Sequence, residues 1–403
     1  MVVKQAQKQH LPFPTGPHAT GCMDLMTEYS PEGCFARIFY PTNLPTENLE
    51  KYSDKWVPWM PHPMYLKAYA NNLRVPFFIL KYGEKLLNQG AYYIPTISDA
   101  PLSDKEESYP LIIFSHGFSA TRFICSEYCN TLASYGFIVA AIEHRDNSSA
   151  ITFYYESPEN AEADLRTWVQ YHDLRIAIKN TDVDHYTFRN DQMKLRHREC
   201  IKLLDTILNI NKGVPIENVL KSSFDLKQLK NKINIDKIIS SGFSFGGATA
   251  MYNAANDSRF RALVVVDGWM FSIKSEQLNI NVPIIFINTH TFHTPANINV
   301  LLKYFYSKGI RKLYTLKNTT HESVTDTAIL YGYWLNPLML KKMNAKKALN
   351  IQSSLTVRFL QENIGYPNSC ENSQIFVEKH ADEIVEDIIR YATKVRRTTA
   401  LFF

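Results

Sequence analysis

The sequence predicts an α/β protein, a doubly wound and mostly parallel sheet with helices on both faces. Three observations carry that reading. From Pro110 onward short apolar runs alternate with turns and helix-like stretches, the pattern left by parallel strands buried on both sides. A G-x-S-x-G sequence, Gly242-Phe243-Ser244-Phe245-Gly246, lies between a strand-like run and a small-residue run that opens like a helix. Later apolar runs end in an aspartate, or are followed by a histidine, in the chain order Ser, Asp, His.

Taken in order, Phe35-Ala36-Arg37-Ile38-Phe39-Tyr40, bounded by Gly33 and Pro41, alternates like an early strand. An aromatic-rich excursion follows over about 56–93. Residues 111–114 form the first buried-type strand, a helical stretch runs on to Tyr135, and 137–142 form the next. A polar, aromatic segment over about 147–194 interrupts the alternation. Residues 199–208 then read as a helix feeding the strand at 235–240. Three more buried-type strands follow at 262–266, 282–288 and 312–316, and helix-like sequence over 378–391 closes the chain. No linker, repeat or low-complexity stretch divides it. The expected organisation is therefore one domain over 1–403, with an N-terminal arm to about residue 108 and an insertion at about 147–195.

Composition narrows the function classes. With 403 residues, 45% hydrophobic and 21% charged, the chain can bury a sizeable core and is not a disordered protein. Its formal net charge of +5 is small for this length and its Lys and Arg are dispersed, which argues against nucleic acid as a partner. Six cysteines are scattered rather than arranged as a framework, so free thiols are expected. Cys125 and Cys129 share a helical face but lack a second ligand pair at zinc spacing, so no metal and no cofactor is expected. The first ten residues lack the apolar core of a secretory signal, and Val2 stands where myristoylation needs glycine; the expectation is a cytoplasmic protein. The longest apolar runs fall well short of the ~20 residues of a spanning helix.

The G-x-S-x-G context makes Ser244 a candidate nucleophile. A sharp strand-to-helix turn strains the backbone at the serine and leaves no room for side chains at the flanking glycines, while lifting the hydroxyl clear of the sheet edge. A serine hydroxyl needs a base to take its proton, and the base needs an acid to hold its tautomer. Asp267 closes the run 262–266 and is the expected acid. His321 follows the run 312–317 and is the expected base, ahead of His290 and His293, which follow the middle one of the last three strands, and of His380, in helix-like sequence. Backbone N–H groups must also meet the oxyanion. Phe245, next after the serine, and Phe118, in the loop Phe114-Ser115-His116-Gly117-Phe118, are the expected donors.

These residues resemble a known family, the platelet-activating factor acetylhydrolases of the plasma and intracellular type II, also called group VII phospholipases A2. The matching passages begin with Gly16-Pro17-His18-Ala19-Thr20-Gly21-Cys22-Met23-Asp24-Leu25-Met26, Phe114-Ser115-His116-Gly117 and Gly136 through Asp146. They continue with Gly242-Phe243-Ser244-Phe245-Gly246-Gly247, Asp267-Gly268-Trp269-Met270-Phe271, Phe286-Ile287-Asn288, Pro295-Ala296-Asn297 and His321. The resemblance implies an α/β-hydrolase fold, the same triad, and calcium-independent hydrolysis of the sn-2 ester of phospholipids with acetyl or short, often oxidised, acyl chains. Two departures stand out: Phe243 where the family often has His, and Glu322 where an amide is frequent after the catalytic His.

Trp269 and Phe271, just after the acid, are expected to line the acyl pocket. Residues 64–87 mix Tyr65, Leu66, Tyr69, Leu73, Phe77 and Phe78 with Lys67, Arg74 and Lys81, a mix an interfacial helix would have, while the ordinary reading is a core-facing helix. A phospholipid substrate and a peripheral membrane or lipid-aggregate surface are the expected partners. Two alternatives remain open: a general carboxylesterase or lipase on the same fold, and a catalytically silent lipid-binding scaffold, which would have no need of a complete triad.

Overall fold

The computed structural model describes residues 8–78, 91–172, 183–333 and 341–387. An 11-stranded sheet runs through it in the order β13-β12-β11-β10-β9-β5-β6-β2-β1-β4-β3. The strands are β1 (Thr20–Met26), β2 (Phe35–Pro41), β3 (Trp56–Pro58), β4 (Tyr93–Ser98), β5 (Tyr109–Ser115), β6 (Ile138–Ile142), β9 (Ile233–Phe243), β10 (Phe260–Val266), β11 (Ile284–Thr289), β12 (Arg311–Leu316) and β13 (Ile384–Glu386). The six strands from β12 to β6 are mutually parallel. Antiparallel pairs β6/β2 and β2/β1 extend the sheet on one side, and β13 caps the other. A separate hairpin joins β7 (Ile151–Tyr154) to β8 (Thr167–Gln170).

The predicted two-sided burial of the parallel strands is resolved residue by residue. Ile112, Phe114, Val139, Ala141, Val264 and Val266 enter one core, against the helices Ser126–Ser134 and Ala345–Ile364. Their neighbours Leu111, Ile113, Ile138, Ala140, Leu263 and Val265 enter the other, against the helices His185–Asn211 and Phe245–Asn256. The period-2 alternation of strand side chains sends adjacent apolar residues to opposite faces, so an uninterrupted apolar run becomes two cores. Each fully buried Val, Ile or Leu contributes about 1.5–3 kcal/mol.

Helix starts are set locally. Asp184 accepts the N–H groups of Tyr186 and Thr187, Asn344 accepts that of Lys347, and Thr294 precedes Pro295 at the first helical position. Across β1 and β2, the guanidiniums of Arg37 and Arg122 converge on the carboxylate of Asp24 at 2.8 Å each, and Arg122 also bonds Glu143 at 2.7 Å. Burial alone would raise the pKa of Asp24, but Arg122 and Arg37 hold it well below the usual carboxylate range. This network ties β1 and β2 to the loops that follow β5 and β6.

Three expectations need correction, and the reading of 64–87 is resolved in part. The helix read at 199–208 begins fourteen residues earlier, at His185, so the end of the expected insertion is already helical. The closing helix is Glu371–Lys379; from Ala381 the chain turns and pairs with β12 as β13, because the open edge of β12 offers unpaired backbone groups, while 388–391 lie outside the described residues. His380 accordingly stands at the helix C-cap rather than inside a helix. Within 64–87 the helix ends at Leu73 and points inward, burying Tyr65, Leu66, Ala68 and Ala70; residues 79–87 lie outside the described residues. Those groups take the core-facing reading, while Phe78, beyond that helix, is exposed. No described helix is long and apolar enough to cross a membrane.

Candidate active site

Ser244 is the single residue between β9 and the helix Phe245–Asn256, with φ 57° and ψ −118°. A side chain in that region costs about 1–3 kcal/mol, and persists only where the surroundings over-determine it. They do here. The Ser244 N–H donates to Val266 O at 2.9 Å, and its carbonyl accepts the N–H groups of Gly247 at 2.9 Å and Trp269 at 2.8 Å. The flanking glycines answer to close approach: a Cβ on Gly242 would lie 2.1 Å from the Gly246 carbonyl oxygen, and one on Gly246 would lie 1.9 Å from that of Ser115. The helix N-terminus is thereby pressed against the end of β5.

Asp267 follows β10 directly, with φ 46°, and its N–H donates to Ile287 O on β11. Its carboxylate is 1% exposed and fully engaged. One oxygen accepts the Thr289 N–H at 2.7 Å; the other accepts the Thr289 hydroxyl at 2.6 Å and His321 Nδ1–H at 2.6 Å. His321 opens the short helix after β12, where Thr320 and Ser323 cap one another. Its Nε2 stands 2.9 Å from Ser244 Oγ. Because a carboxylate only accepts, the ring proton belongs on Nδ1 and Nε2 is left to accept from the serine. The structure thus brings Ser244, Asp267 and His321 into one hydrogen-bonded chain that can activate a hydroxyl for attack.

The rival histidines are placed otherwise. His290 Nδ1 accepts the Asn318 N–H at 3.1 Å and so braces the loop that carries His321. His293 faces the charge of Asp267, but its ring nitrogens are buried without a hydrogen-bond partner among the described residues, and burial lowers its pKa.

Phe118 and Phe245 both border the site. As the first residue of its helix, Phe245 has no intrahelical acceptor for its N–H. Gly117 packs so closely that a Cβ there would lie 3.2 Å from Ser244 Cβ. The rings of Phe118 and Phe245 lie 6.2 and 5.5 Å from that of Trp269, which stacks on Phe271 at 5.5 Å. Trp269 and Phe271 therefore belong to one aromatic cluster with Phe118 and Phe245, extended by His185 over Phe271. Phe243, the departure from the family pattern, stacks on His321 at 4.6 Å, and Glu322 is buried beside Thr320.

Sequence reading missed Thr289 and Phe292, which bond Asp267 and stack on His321, and Arg189 and Arg196, which the helix His185–Asn211 carries against Phe118 and His116 in the loop after β5. A signal existed for the arginines. Arg189, Met193, Arg196, Cys200, Leu203 and Ile207 recur at helical spacing, and all are buried; read as one stripe they place two cations on a core face.

Comparison with known proteins agrees with this architecture. The family model described as platelet-activating factor acetylhydrolase, isoform II, matches residues 3–384. The platelet-activating factor acetylhydrolase of Canis lupus familiaris is 33% identical over 368 residues, covering 91% of this chain and 80% of its own. That of Bos taurus is 32% identical over 383 residues, covering 94% and 82%. A putative phospholipase A2 of Schizosaccharomyces pombe is 26% identical over 376 residues, covering 81% and 83%. Among solved structures, a ferulic acid esterase from Streptomyces cinnamoneus matches with a TM-score of 0.61 over 89% of this chain and 94% of its own, at 15% identity, a likeness of fold. The sheet is that of an α/β hydrolase, and the chain belongs to the platelet-activating factor acetylhydrolase isoform II family of esterases.

Proposed function

We propose that this protein hydrolyses the sn-2 acetyl or short, including oxidised, acyl ester of platelet-activating factor and related phospholipids, releasing a lysophospholipid and a short carboxylic acid. The observation that carries the proposal is the continuous hydrogen-bonded chain from Ser244 Oγ through His321 to Asp267, in a chain of this family.

In the proposed reaction Ser244 Oγ attacks the ester carbonyl carbon as its proton passes to His321 Nε2. Asp267 holds the ring and stabilises the imidazolium, and the N–H groups of Phe118 and Phe245 receive the oxyanion. Collapse breaks the bond between the acyl carbon and the sn-2 oxygen, and His321 returns the proton to that departing glycerol oxygen. A water, deprotonated by His321, then attacks the acyl carbon; the acyl–Oγ bond breaks, His321 returns the proton to Ser244 Oγ, and the acid is freed. The carbonyl is polarised by N–H donors, so the activity is calcium-independent. Trp269 and Phe271 form the wall against which the acyl chain lies, which favours short chains.

Acetate release from platelet-activating factor in EDTA, with Ser244→Ala alongside, tests the reading. Metal-independent release abolished by the substitution supports it. Activity confined to simple esters or triglycerides would make the protein a general esterase, and silence on all of them would leave a binding scaffold.

A further inference from the structure

The loop after β5 is held from behind by a wholly buried arginine. Arg196 lies mid-way along the helix His185–Asn211, and its Nε bonds Asp146 at 3.0 Å and Ser148 Oγ at 2.9 Å. The far edge of the guanidinium reaches the loop itself: Nη1 donates to His116 O at 2.6 Å, and Nη2 donates to Gly117 O at 3.4 Å and to Ser148 Oγ at 2.6 Å. A second donor meets the same Gly117 oxygen. His116 Nε2 accepts the backbone N–H of His144 at 3.3 Å, so its ring proton sits on Nδ1, which donates to Gly117 O at 2.8 Å. Burial, and then the charge of Arg196, keep that imidazole neutral.

A trans peptide points its C=O and the following N–H in opposite directions. The Gly117 carbonyl belongs to the same peptide unit as the Phe118 N–H. Fixing that oxygen on the side of Arg196 and His116 turns the Phe118 N–H to the other side, and Gly117 is the residue packed against Ser244. We infer that Arg196 and His116 are positioning residues for the oxyanion hole, a two-donor clamp that sets the orientation of the Gly117–Phe118 peptide before substrate arrives. This rests on the reading of Phe118 N–H as an oxyanion donor. Preorganised donors stabilise the transition state because they need not be aligned during the reaction, so a loosened clamp lowers turnover while leaving ground-state binding nearly unchanged. The planar fork of Arg196 serves Asp146, Ser148 and two carbonyls at once, which a lysine ammonium on a flexible stem cannot do.

The test uses the full chain carrying Arg196→Lys, which keeps the buried charge opposite Asp146, with His116→Leu as the second variant. Intact Ser244 sites are titrated with a fluorophosphonate, and kcat, KM and the Ki of a trifluoromethyl ketone, which forms a tetrahedral oxyanion on the serine, are measured per titrated site. The expected result is a fall in kcat of about 10²-fold in Arg196→Lys, the low end for loss of a donor, with KM nearly constant and Ki raised by a similar factor. His116→Leu is expected to shift kcat and Ki in the same direction by less, and it carries the test if Arg196→Lys yields no titratable sites. Wild-type kcat and Ki per titrated site in the folded variants, with only the titratable fraction or Tm reduced, would overturn the clamp. Phe118→Pro, which removes the N–H itself, separates the two layers. Its full activity would overturn the donor assignment and the clamp together, whereas its inactivity beside normal clamp variants would overturn the clamp alone.

Discussion

The imidazole of His321 lies face to face with the ring of Phe292, the centroids 3.9 Å apart and the planes 18° from parallel. Phe243 adds a second stacked ring at 4.6 Å. Asp267 restrains the ring along its Nδ1–H direction, and the stacked phenyls restrain rotation about that direction. An aromatic face also attracts the imidazolium that forms when Ser244 gives up its proton.

Phe292→Leu therefore lowers kcat by about 3–10-fold, the rate equivalent of roughly 0.5–1.4 kcal/mol of cation–π and positioning energy. KM stays within about twofold. Steady-state kinetics on a short-chain phospholipid and on a soluble acetyl ester provide the check, and an unchanged kcat on both would remove the stacked ring from the mechanism.

Thr289 gives Asp267 two of its three hydrogen bonds, one from the main chain and one from the hydroxyl. Thr289→Val keeps the shape and removes the hydroxyl, so kcat is expected to fall about tenfold, the worth of roughly 1.4 kcal/mol for one hydrogen bond to a charged group. Asp267→Asn, which offers a donor where the His321 Nδ1–H needs an acceptor, is expected to cost about 10⁴ in kcat. Equal losses in the two variants would mean that the charge on Asp267 is not what matters.

Trp269 is stacked on Phe271 and edges onto Phe118 and Phe245. Removing its indole opens the aromatic wall beside Ser244. Trp269→Ala is expected to raise the ratio of kcat/KM for propanoyl over acetyl esters by about fivefold, since one added methylene in an apolar pocket is worth on the order of 1 kcal/mol. Competition between matched esters of the two lengths measures it. A constant ratio would place the acyl chain elsewhere.

Glu127 is a buried carboxyl in the helix Ser126–Ser134, one oxygen bonded to Thr131 and the other without a hydrogen-bond partner among the described residues. A neighbouring buried acid, Asp326, accepts the Glu127 backbone N–H at 3.1 Å. Burial pushes the Glu127 pKa up from 4.5 to about 7 against the opposing effect of the Thr131 bond. Between those values the folded protein keeps a proton that the unfolded chain has released, so stability falls as pH rises from about 4.5 to about 7. Glu127→Gln removes that loss. Thermal melts are expected to coincide with wild type near pH 5 and to show the variant more stable at pH 8, by on the order of 1–3 kcal/mol. A gain equal at both pH values would rule out the titration.

Strands and triad were legible because their signals are local. The runs at 111–114, 137–142, 262–266 and 312–316 are continuous in sequence and became β5, β6, β10 and β12 with shifts of one or two residues at most ends. Ser244 is marked by its own glycines, and Asp267 and His321 by the strands they follow. Other elements were not legible because their cause lies elsewhere in the chain. β1 carries Asp24 among its apolar residues, a charge that makes sense only once Arg37 and Arg122 are beside it. β13 exists because β12 has an open edge, and Ile384-Val385-Glu386 alone does not say so. The helix His185–Asn211 places arginines in slots where a periodic pattern expects apolar side chains, so its first half read as a polar insertion.

By itself the sequence determined the class of fold, the order of the parallel strands along the chain and the three candidate residues, Ser244, Asp267 and His321, that the structure joins in one hydrogen-bonded chain. Those depend on apolar periodicity and on turn residues, whose effects reach only a few positions along the backbone. Tertiary structure alone decided which groups hold the catalytic ones in place: Thr289 on Asp267, Phe292 and Phe243 on His321, Arg196 and His116 on the Gly117 carbonyl. Except for His116 and Gly117, adjacent in the chain, these partners come from different segments. Hydrogen bonds and ring stacking act over about 3–5 Å in space and have no period along the chain, so packing, not pattern, brings those segments together.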